Sequence, residues 1–393
     1  MDKRRSFTLI SAIGVGQIFA WGSSYYLIAV LANPVAKDTG WPMTWIVAGL
    51  SLALFVAGLA SPRAGVAIEK LGGRKVLAAG SLLLAAGLLL LALTHHIALW
   101  YAAWLLIGLG MSCGLYDAAF ATLGQIYGSK ARRAIANVTL FGGLASTICW
   151  PLSAFLIETA GWRGACLAYA ALQCFVMLPL HLFVVPRFSP SVAAPSKQHI
   201  VEARRSSGAM LILLGAILTL AAAVGAIMSV HLITILQARG LALAAAVGLG
   251  AIFGPAQVAA RVFELALGRH YHPVWTLFAS VLLMCVGVSL LGLDGPAAWI
   301  GASLIVYGAG SGVHSIARGT APLALFGPDG YARRMGKLAL PALVAQALAP
   351  PFAAWLIERA GVGPVLQWLV GLTLASAVLA IVLIVSTRNM RAD

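Results

Sequence analysis

Twelve stretches of this chain run for about 20 residues or more with almost no charged side chain, and that pattern constrains the fold more than any motif does. An α-helix rises about 1.5 Å per residue, so such a run crosses a hydrocarbon core of about 30 Å. The runs fall near residues 7–31, 43–68, 75–94, 97–127, 134–159 and 162–185, then 208–237, 241–266, 274–293, 297–326, 336–358 and 363–386. With 61% hydrophobic and 9% charged residues, the chain lacks the polar surface that a water-soluble globule needs. It reads as an all-α integral membrane protein with twelve transmembrane helices, here called spans 1 to 12.

The basic residues set the topology. A formal net charge of +15 would suggest a nucleic-acid partner in a soluble protein, but here Lys and Arg sit in the short gaps between apolar runs. Assigning the N-terminus, alternate gaps and the tail to one side collects Lys3, Arg4, Arg5, Lys70, Arg74, Lys75, Lys130, Arg132, Arg133, Arg187, Lys197, Arg204, Arg205, Arg269, Arg333, Arg334, Lys337, Arg388 and Arg391 there, and leaves Lys37, Arg163, Arg239 and Arg359 on the other. The positive-inside rule then places both termini in the cytoplasm of a cytoplasmic (inner) membrane protein. The opening MDKRR resembles a signal peptide, but the apolar run behind it is too long and is followed by further spans. The five cysteines lie inside apolar runs without CxxC spacing, so no disulfide framework, metal site or cofactor is expected. No nucleophile elbow, P-loop or HExxH pattern is present, which argues against an enzyme.

The chain also repeats itself. FLIETAG at 155–161 returns as WLIERAG at 355–361, and ARR at 131–133 returns at 332–334. A duplicated unit explains this, with two pseudo-symmetric six-helix bundles at 1–186 and 208–393 joined by a polar cytoplasmic linker at 187–207. A solute site is then expected between them at mid-depth, in a chain that is complete as a monomer.

Between spans 2 and 3 the sequence reads GVAIEKLGGRKVLAAG from Gly65 to Gly80. It resembles the G-x-x-x-D-[RK]-x-G-x-[RK] signature of the major facilitator superfamily, with Gly65, Glu69, Lys70, Gly72, Arg74 and Lys75 in the matching places and Glu69 in place of the usual Asp. Such a patch can latch the halves in one state; the plainer alternative is a solvated turn that only fixes topology. Within the superfamily, GWPMTWIVAGLSLALFVAGLASPRAG from Gly40 to Gly65 looks like the monocarboxylate and oxalate/formate porter group. Those porters are similar in carrying an Arg at the place of Arg261, but with an Asp one turn earlier, where this chain has Gln257. They also carry a Lys in span 1, for which this chain offers only Trp21, Ser23, Ser24, Tyr25 and Tyr26. Superfamily members line their cavity with spans 1, 4, 7 and 10, which implies that Asp117, His231, His314 and Arg318 face it.

An ionisable group within a span is costly unless paired or hydrated, so each is a functional candidate. Arg261 leads for substrate, since a guanidinium stays charged and grips a carboxylate with two hydrogen bonds. Neutralisation by Glu264, three residues on, is the alternative. Arg318, His231, His314, Tyr25 and Gln257 complete the expected binding set. Asp117 and Glu264 are the candidates for proton coupling, with Asp117 and Arg318 at matching places in the repeat. A permanent structural salt bridge between these two is the alternative. The expectation is a secondary transporter of a small organic anion, a monocarboxylate, coupled to protons. The competing reading is efflux of drug-like compounds or a metalloid, with Cys113 and Cys149 as soft ligands.

Overall fold

The computed structural model describes residues 3–187, 202–293 and 295–392, and these form helices joined by short turns. The first group comprises α1 (Lys3–Gly22), α2 (Leu27–Thr39), α3 (Met43–Leu71), α4 (Gly73–Ala92), α5 (Ile97–Gly114), α6 (Tyr116–Tyr127), α7 (Ala131–Gly143), α8 (Ala145–Leu172) and α9 (Leu178–Val184). The second comprises α10 (Glu202–Ala238), α11 (Leu243–Gly250), α12 (Phe253–Leu267), α13 (Pro273–Gly292), α14 (Ala297–Phe326), α15 (Tyr331–Ala360) and α16 (Val362–Ala392). Of the expected linker, 188–201 lie outside the described residues, and the helix behind it starts at Glu202 rather than 208.

Ten helical stretches among the described residues are long and apolar enough to cross a membrane. One of them, Ile97–Val184, contains 88 residues. Laid out straight it would measure roughly 130 Å, several times a hydrocarbon core. Instead it turns back at Gly128 and Gly161, whose φ values are 56° and 71°, and so holds three crossings. With the nine other stretches that makes twelve. Several spans are not single helices: span 1 breaks over Ser23–Tyr26, span 4 at Leu115 and span 8 at Ala251–Ile252.

The repeated heptapeptides have a conformational cause. Both end in glycines of left-handed backbone, Gly161 at φ 71° and Gly361 at φ 79°, where an L side chain would be strained. The N–H of Gly361 closes its helix on the Ile357 carbonyl at 2.9 Å. Packing repeats as well. A Cβ on Gly87 would meet Ile107, and one on Gly287 would meet Tyr307; Gly110 abuts Leu84 as Gly310 abuts Met284. In each case α4 approaches α5, or α13 approaches α14, at backbone distance.

The contacts divide the chain into two compact units, Met1–Ser189 with Pro328–Ala347, and Pro190–Gly327 with Leu348–Asp393. The first part of α15 thus belongs with α1–α9, which a boundary at the linker alone does not anticipate. Unit 1 is centred on Trp100, Trp104, Tyr169, Leu27 and Leu31, with Ala339 and Leu343 of α15 in the same cluster. In unit 2, α13 packs on α14 and α16, and α16 packs on α10. Large apolar side chains remain on the outside, among them Phe175 (77% exposed) and Phe183 (81%), as expected where the solvent is lipid.

Candidate functional site

In unit 1 the break in span 1 follows from the sequence WGSSYY. Ser23 and Ser24 bond back to the carbonyls of Phe19 and Ala20 at 2.7 and 2.5 Å, a habit of hydroxyl residues that bends helices. Neighbouring side chains tend to the remaining backbone. Gln173 Nε2 donates to Ser23 Oγ at 2.9 Å and to the Phe19 carbonyl, while Trp150 Nε1 donates to the Tyr26 carbonyl at 3.2 Å. Gln173 begins a π-helical turn, Gln173–Met177, a feature that recurs at functional sites. The rings of Trp21, Tyr25 and Tyr26 are half-buried and pack on one another at the break.

Span 4 breaks beside it. Leu115 is extended (φ −83°, ψ −172°), which releases carbonyls at the end of α5. Gln17, fully buried on α1, donates its Nε2 to the Gly114 carbonyl at 2.7 Å. Asp117 lies in the first turn of α6, where exposed backbone N–H groups and the helix dipole suit a carboxylate. Tyr331 of α15 is buried against α6, where a Cβ on Gly124 would come within 2.3 Å of its ring, and Asp117 is within electrostatic reach of its phenol.

In unit 2 the predicted residues lie on α12 and α14, with His231 on α10. Arg261 and Glu264 are the only buried Arg and Glu among the described residues. Arg261 donates from Nε to the Gly312 carbonyl at 3.3 Å and from Nη2 to Gln257 Oε1 at 3.4 Å. Gln257 in turn donates to Ser311 Oγ at 3.2 Å. Glu264 accepts from Thr276 Oγ1 at 2.9 Å with one carboxylate oxygen and from the Tyr271 hydroxyl with the other. His314 Nδ1 lies 3.3 Å from Ser280 Oγ, and Arg318, one turn on, is half-buried. His231 is held to the Pro350 carbonyl at 3.0 Å. A cavity of about 560 Å³ bordered by Arg239, Ser289 and Gln367 contains none of these residues.

The signature residues lie at a seam inside unit 1. Glu69 Oε2 is 2.9 Å from Arg333 Nη2, and its Oε1 accepts from the Arg333 backbone N–H at 3.3 Å. Below this pair α3 and α15 touch backbone to backbone: a Cβ on Gly65 would stand 2.4 Å from the Ala332 carbonyl oxygen, and one on Gly336 would stand 2.3 Å from that of Ser61. Gly72, at φ 84°, makes the corner between α3 and α4. Gln125 clasps this corner, accepting from Gly73 N–H at 3.1 Å and donating to the Ile68 carbonyl at 3.0 Å. Lys70 and Lys75 are exposed.

A family profile described as Major Facilitator Superfamily matches residues 13–323. The chain belongs to the major facilitator superfamily. Its members are transporters rather than enzymes, and the chain is a multi-pass membrane protein of that fold. It is similar to human monocarboxylate transporter 6, with 29% identity over 132 residues, which span 33% of this chain but only 25% of that protein. Among solved structures it resembles the human organic anion transporter MFSD10 (TM-score 0.75, 18% identity, 97% of this chain and 100% of that one). It also resembles FucP in the outward conformation (TM-score 0.70, 14% identity, 95% and 98%) and the proton:xylose symporter XylE (TM-score 0.73, 14% identity, 96% and 95%).

Several residues of this superfamily member escaped the sequence reading. Gln17 and Gln125 each serve a backbone group at a break or corner, and Gln173 donates to Ser23 Oγ and adds a third bond at the Phe19 carbonyl. Their signal was present: an amide inside an apolar run needs partners. Tyr331 and Gly336 gave no such signal, because a loop aromatic and a helix glycine are ordinary until their neighbours across the chain are known.

Proposed function

We propose that this superfamily member carries a small organic anion of the monocarboxylate class, coupled to protons, by alternating access across the cytoplasmic membrane with both termini inside. The observation that carries the reading is Arg318, half-buried in the apolar helix Ala297–Phe326 and about 12 Å from its end. A permanent cation at that depth is costly without water, a counter-ion or carbonyl partners, and a guanidinium can grip a carboxylate through two parallel bonds. Arg261 has a different place in this scheme. With donors already on Gly312 and Gln257, it braces α12 against α14 and adds positive potential. The names of two similar proteins, a monocarboxylate transporter and an organic anion transporter, agree with an anionic cargo.

Asp117 at the start of α6 and Glu264 between two hydroxyls are the proton acceptors in this proposal, and His231 and His314 are wall residues. The Glu69–Arg333 pair and the glycine seam beneath it form the cytoplasmic latch, which holds in one state and parts in the other. Metalloid efflux has less support. Cys149 is fully buried, with its Sγ directed at the Ile18 carbonyl at 3.6 Å, and no cluster of three or more metal-ligating His, Cys, Asp or Glu occurs among the described residues.

Uptake into proteoliposomes under an imposed pH gradient tests the proposal, using labelled carboxylates, lipophilic cations and arsenite. Carboxylate uptake that follows the gradient, falls at least about a hundred-fold in Arg318→Ala and loses its proton dependence in Asp117→Asn is expected. Cation or arsenite movement indifferent to Arg318 would replace the anion reading with efflux.

A further inference from the structure

The two copies of the heptapeptide end alike and then part. After Gly161 comes Trp162-Arg163, whereas after Gly361 comes Val362-Gly363. In unit 1 the two large side chains tie neighbouring helix ends together. Trp162 is buried and donates from Nε1 to Asp38 Oδ2 at 3.0 Å; Arg163 lies over its ring at 4.1 Å, pairs with Asp38 and donates from Nη2 to the Thr94 carbonyl at 3.1 Å. Unit 2 has no side chain of that size at the matching place. There the cavity of about 560 Å³ opens between the ends of α10 and α13 and the first turns of α16. Gly292 and Gly363 both line it, and an ideal Cβ on either would meet no atom within 4 Å. Arg239 borders it too, donating to the Gly292 carbonyl at 3.2 Å and to that of Leu293.

The wall runs along α16 from Val362 to Val370, about 12 Å at 1.5 Å per residue, so it reaches from the end of a span into the hydrocarbon. Most of the lining is apolar, with Leu366 and Val370 farthest along α16. Two polar side chains interrupt it: Gln367 is exposed five residues into α16, and Ser289 is half-buried one turn before the end of α13. Neither has a hydrogen-bond partner among the described residues. Below the membrane surface water is scarce, and a polar group left alone there is costly. An occupant that suits this wall is apolar along its body, accepts hydrogen bonds from an amide and a hydroxyl, and carries negative charge toward Arg239 and the first turn of α16. A glycerophospholipid presents those groups in that order, as chain, ester carbonyls and phosphate. We propose that the cavity is a binding site for one membrane phospholipid, with its acyl chain on Leu366 and Val370, its ester carbonyls at Gln367 and Ser289, and its phosphate toward Arg239. The site lies wholly within unit 2 and is independent of the cargo. Unit 1 has no equivalent, because Trp162 and Arg163 occupy the place.

The test is photo-cross-linking of the full chain in mixed micelles with a phosphatidylglycerol that carries a diazirine on its acyl chain, with labelled peptides mapped by mass spectrometry. Label is expected on the peptides of α13 and α16 that line the cavity. Gly363→Trp restores bulk where unit 1 has it, and the open space around Gly363 admits the ring without moving backbone. It should lower that label at least about ten-fold and leave label elsewhere unchanged. Gln367→Leu keeps the shape and removes the amide, and weakens retention about 2- to 10-fold, as the loss of one hydrogen bond does. Unlabelled phosphatidylglycerol competes, whereas sn-glycerol 3-phosphate does not. A parent-like melting temperature in lipid-free detergent shows that each variant has folded, and Gln367→Leu decides alone if Gly363→Trp has not. Equal label at the cavity in the parent and the folded variants means bulk lipid only and overturns the site. Competition by sn-glycerol 3-phosphate as strong as by the lipid means a site for free anions and overturns the lipid.

Discussion

Replacing Gly336 with Ala puts a methyl group where the structure has no room for it. An ideal Cβ there lies 2.3 Å from the Ser61 carbonyl oxygen and 3.0 Å from Pro62 Cα, whereas ordinary contact begins at 3.4 Å. The obstacles are backbone atoms, so no side chain can swing aside, and α3 and α15 must part by about 1 Å. Overpacking of this kind costs about 1–3 kcal/mol. If the seam is a latch, that cost falls only on the closed state, and the equilibrium moves toward the open one by roughly 5- to 150-fold. A cysteine at Ala332, buried beside the seam, reports the opening in a background lacking the five native cysteines. Labelling by a membrane-impermeant maleimide from the cytoplasmic side is expected to quicken at least about five-fold in Gly336→Ala. Glu69→Gln should do less, because Arg333 is 53% exposed and surface pairs contribute at most about 1 kcal/mol. A Gly336→Ala protein that melts earlier but labels at the parental rate would show that the seam is static packing and refute the latch.

Three further outcomes follow from the contacts. Gln125→Leu strands the Gly73 N–H, while the Ile68 carbonyl keeps the Gly72 N–H, and a loss of about 1–3 kcal/mol is expected as a lower melting temperature. Gly124→Ala drives a methyl into the Tyr331 ring at 2.3 Å, and combining it with Tyr331→Ala should recover part of the loss, giving a coupling of about 0.5 kcal/mol or more in a double-mutant cycle. Gly161→Ala and Gly361→Ala meet no neighbour within 4 Å, so each pays only backbone strain of about 1–2 kcal/mol, and the two losses should add when stability is measured by thermal unfolding.

The spans could be read from the chain because lipid imposes a single rule on length and polarity, although the helices of span 1 run on to Thr39 where the apolar run was read to 31, and α10 starts at Glu202 rather than 208. Their interruptions were harder. Gly22-Ser23-Ser24 weakens a helix, but whether it breaks depends on Gln173 and Trp150 standing ready to serve the carbonyls, and those lie far away in sequence. The same holds for Leu115, an unremarkable residue whose extended backbone is sustained by Gln17 on another span. Charge within a span was visible at Asp117, Arg261, Glu264 and Arg318, but its surroundings were not. Glu264 accepts from Tyr271 and Thr276, and Arg261 donates to the Gly312 carbonyl as well as to Gln257 one turn away. Glu69 and Arg333 stand 264 positions apart, and only the shared seam of α3 and α15 explains their meeting.

The two halves of the sequence repeat match unevenly, and physics accounts for which features they share. Where helices touch at backbone distance, as at Gly87 and Gly287 or Gly110 and Gly310, any added atom must displace a helix, so both copies keep glycine. Turn glycines such as Gly161 and Gly361 are held by their positive φ. Polar side chains inside the bundles are under no such shared constraint. Span 4 broke and gained an aromatic and carboxylate environment around Asp117, whereas its counterpart, span 10, stayed one helix from Ala297 to Phe326 and gained His314 and Arg318. At matching places of the repeat the chemistry therefore differs, a carboxylate at Asp117 against a guanidinium at Arg318.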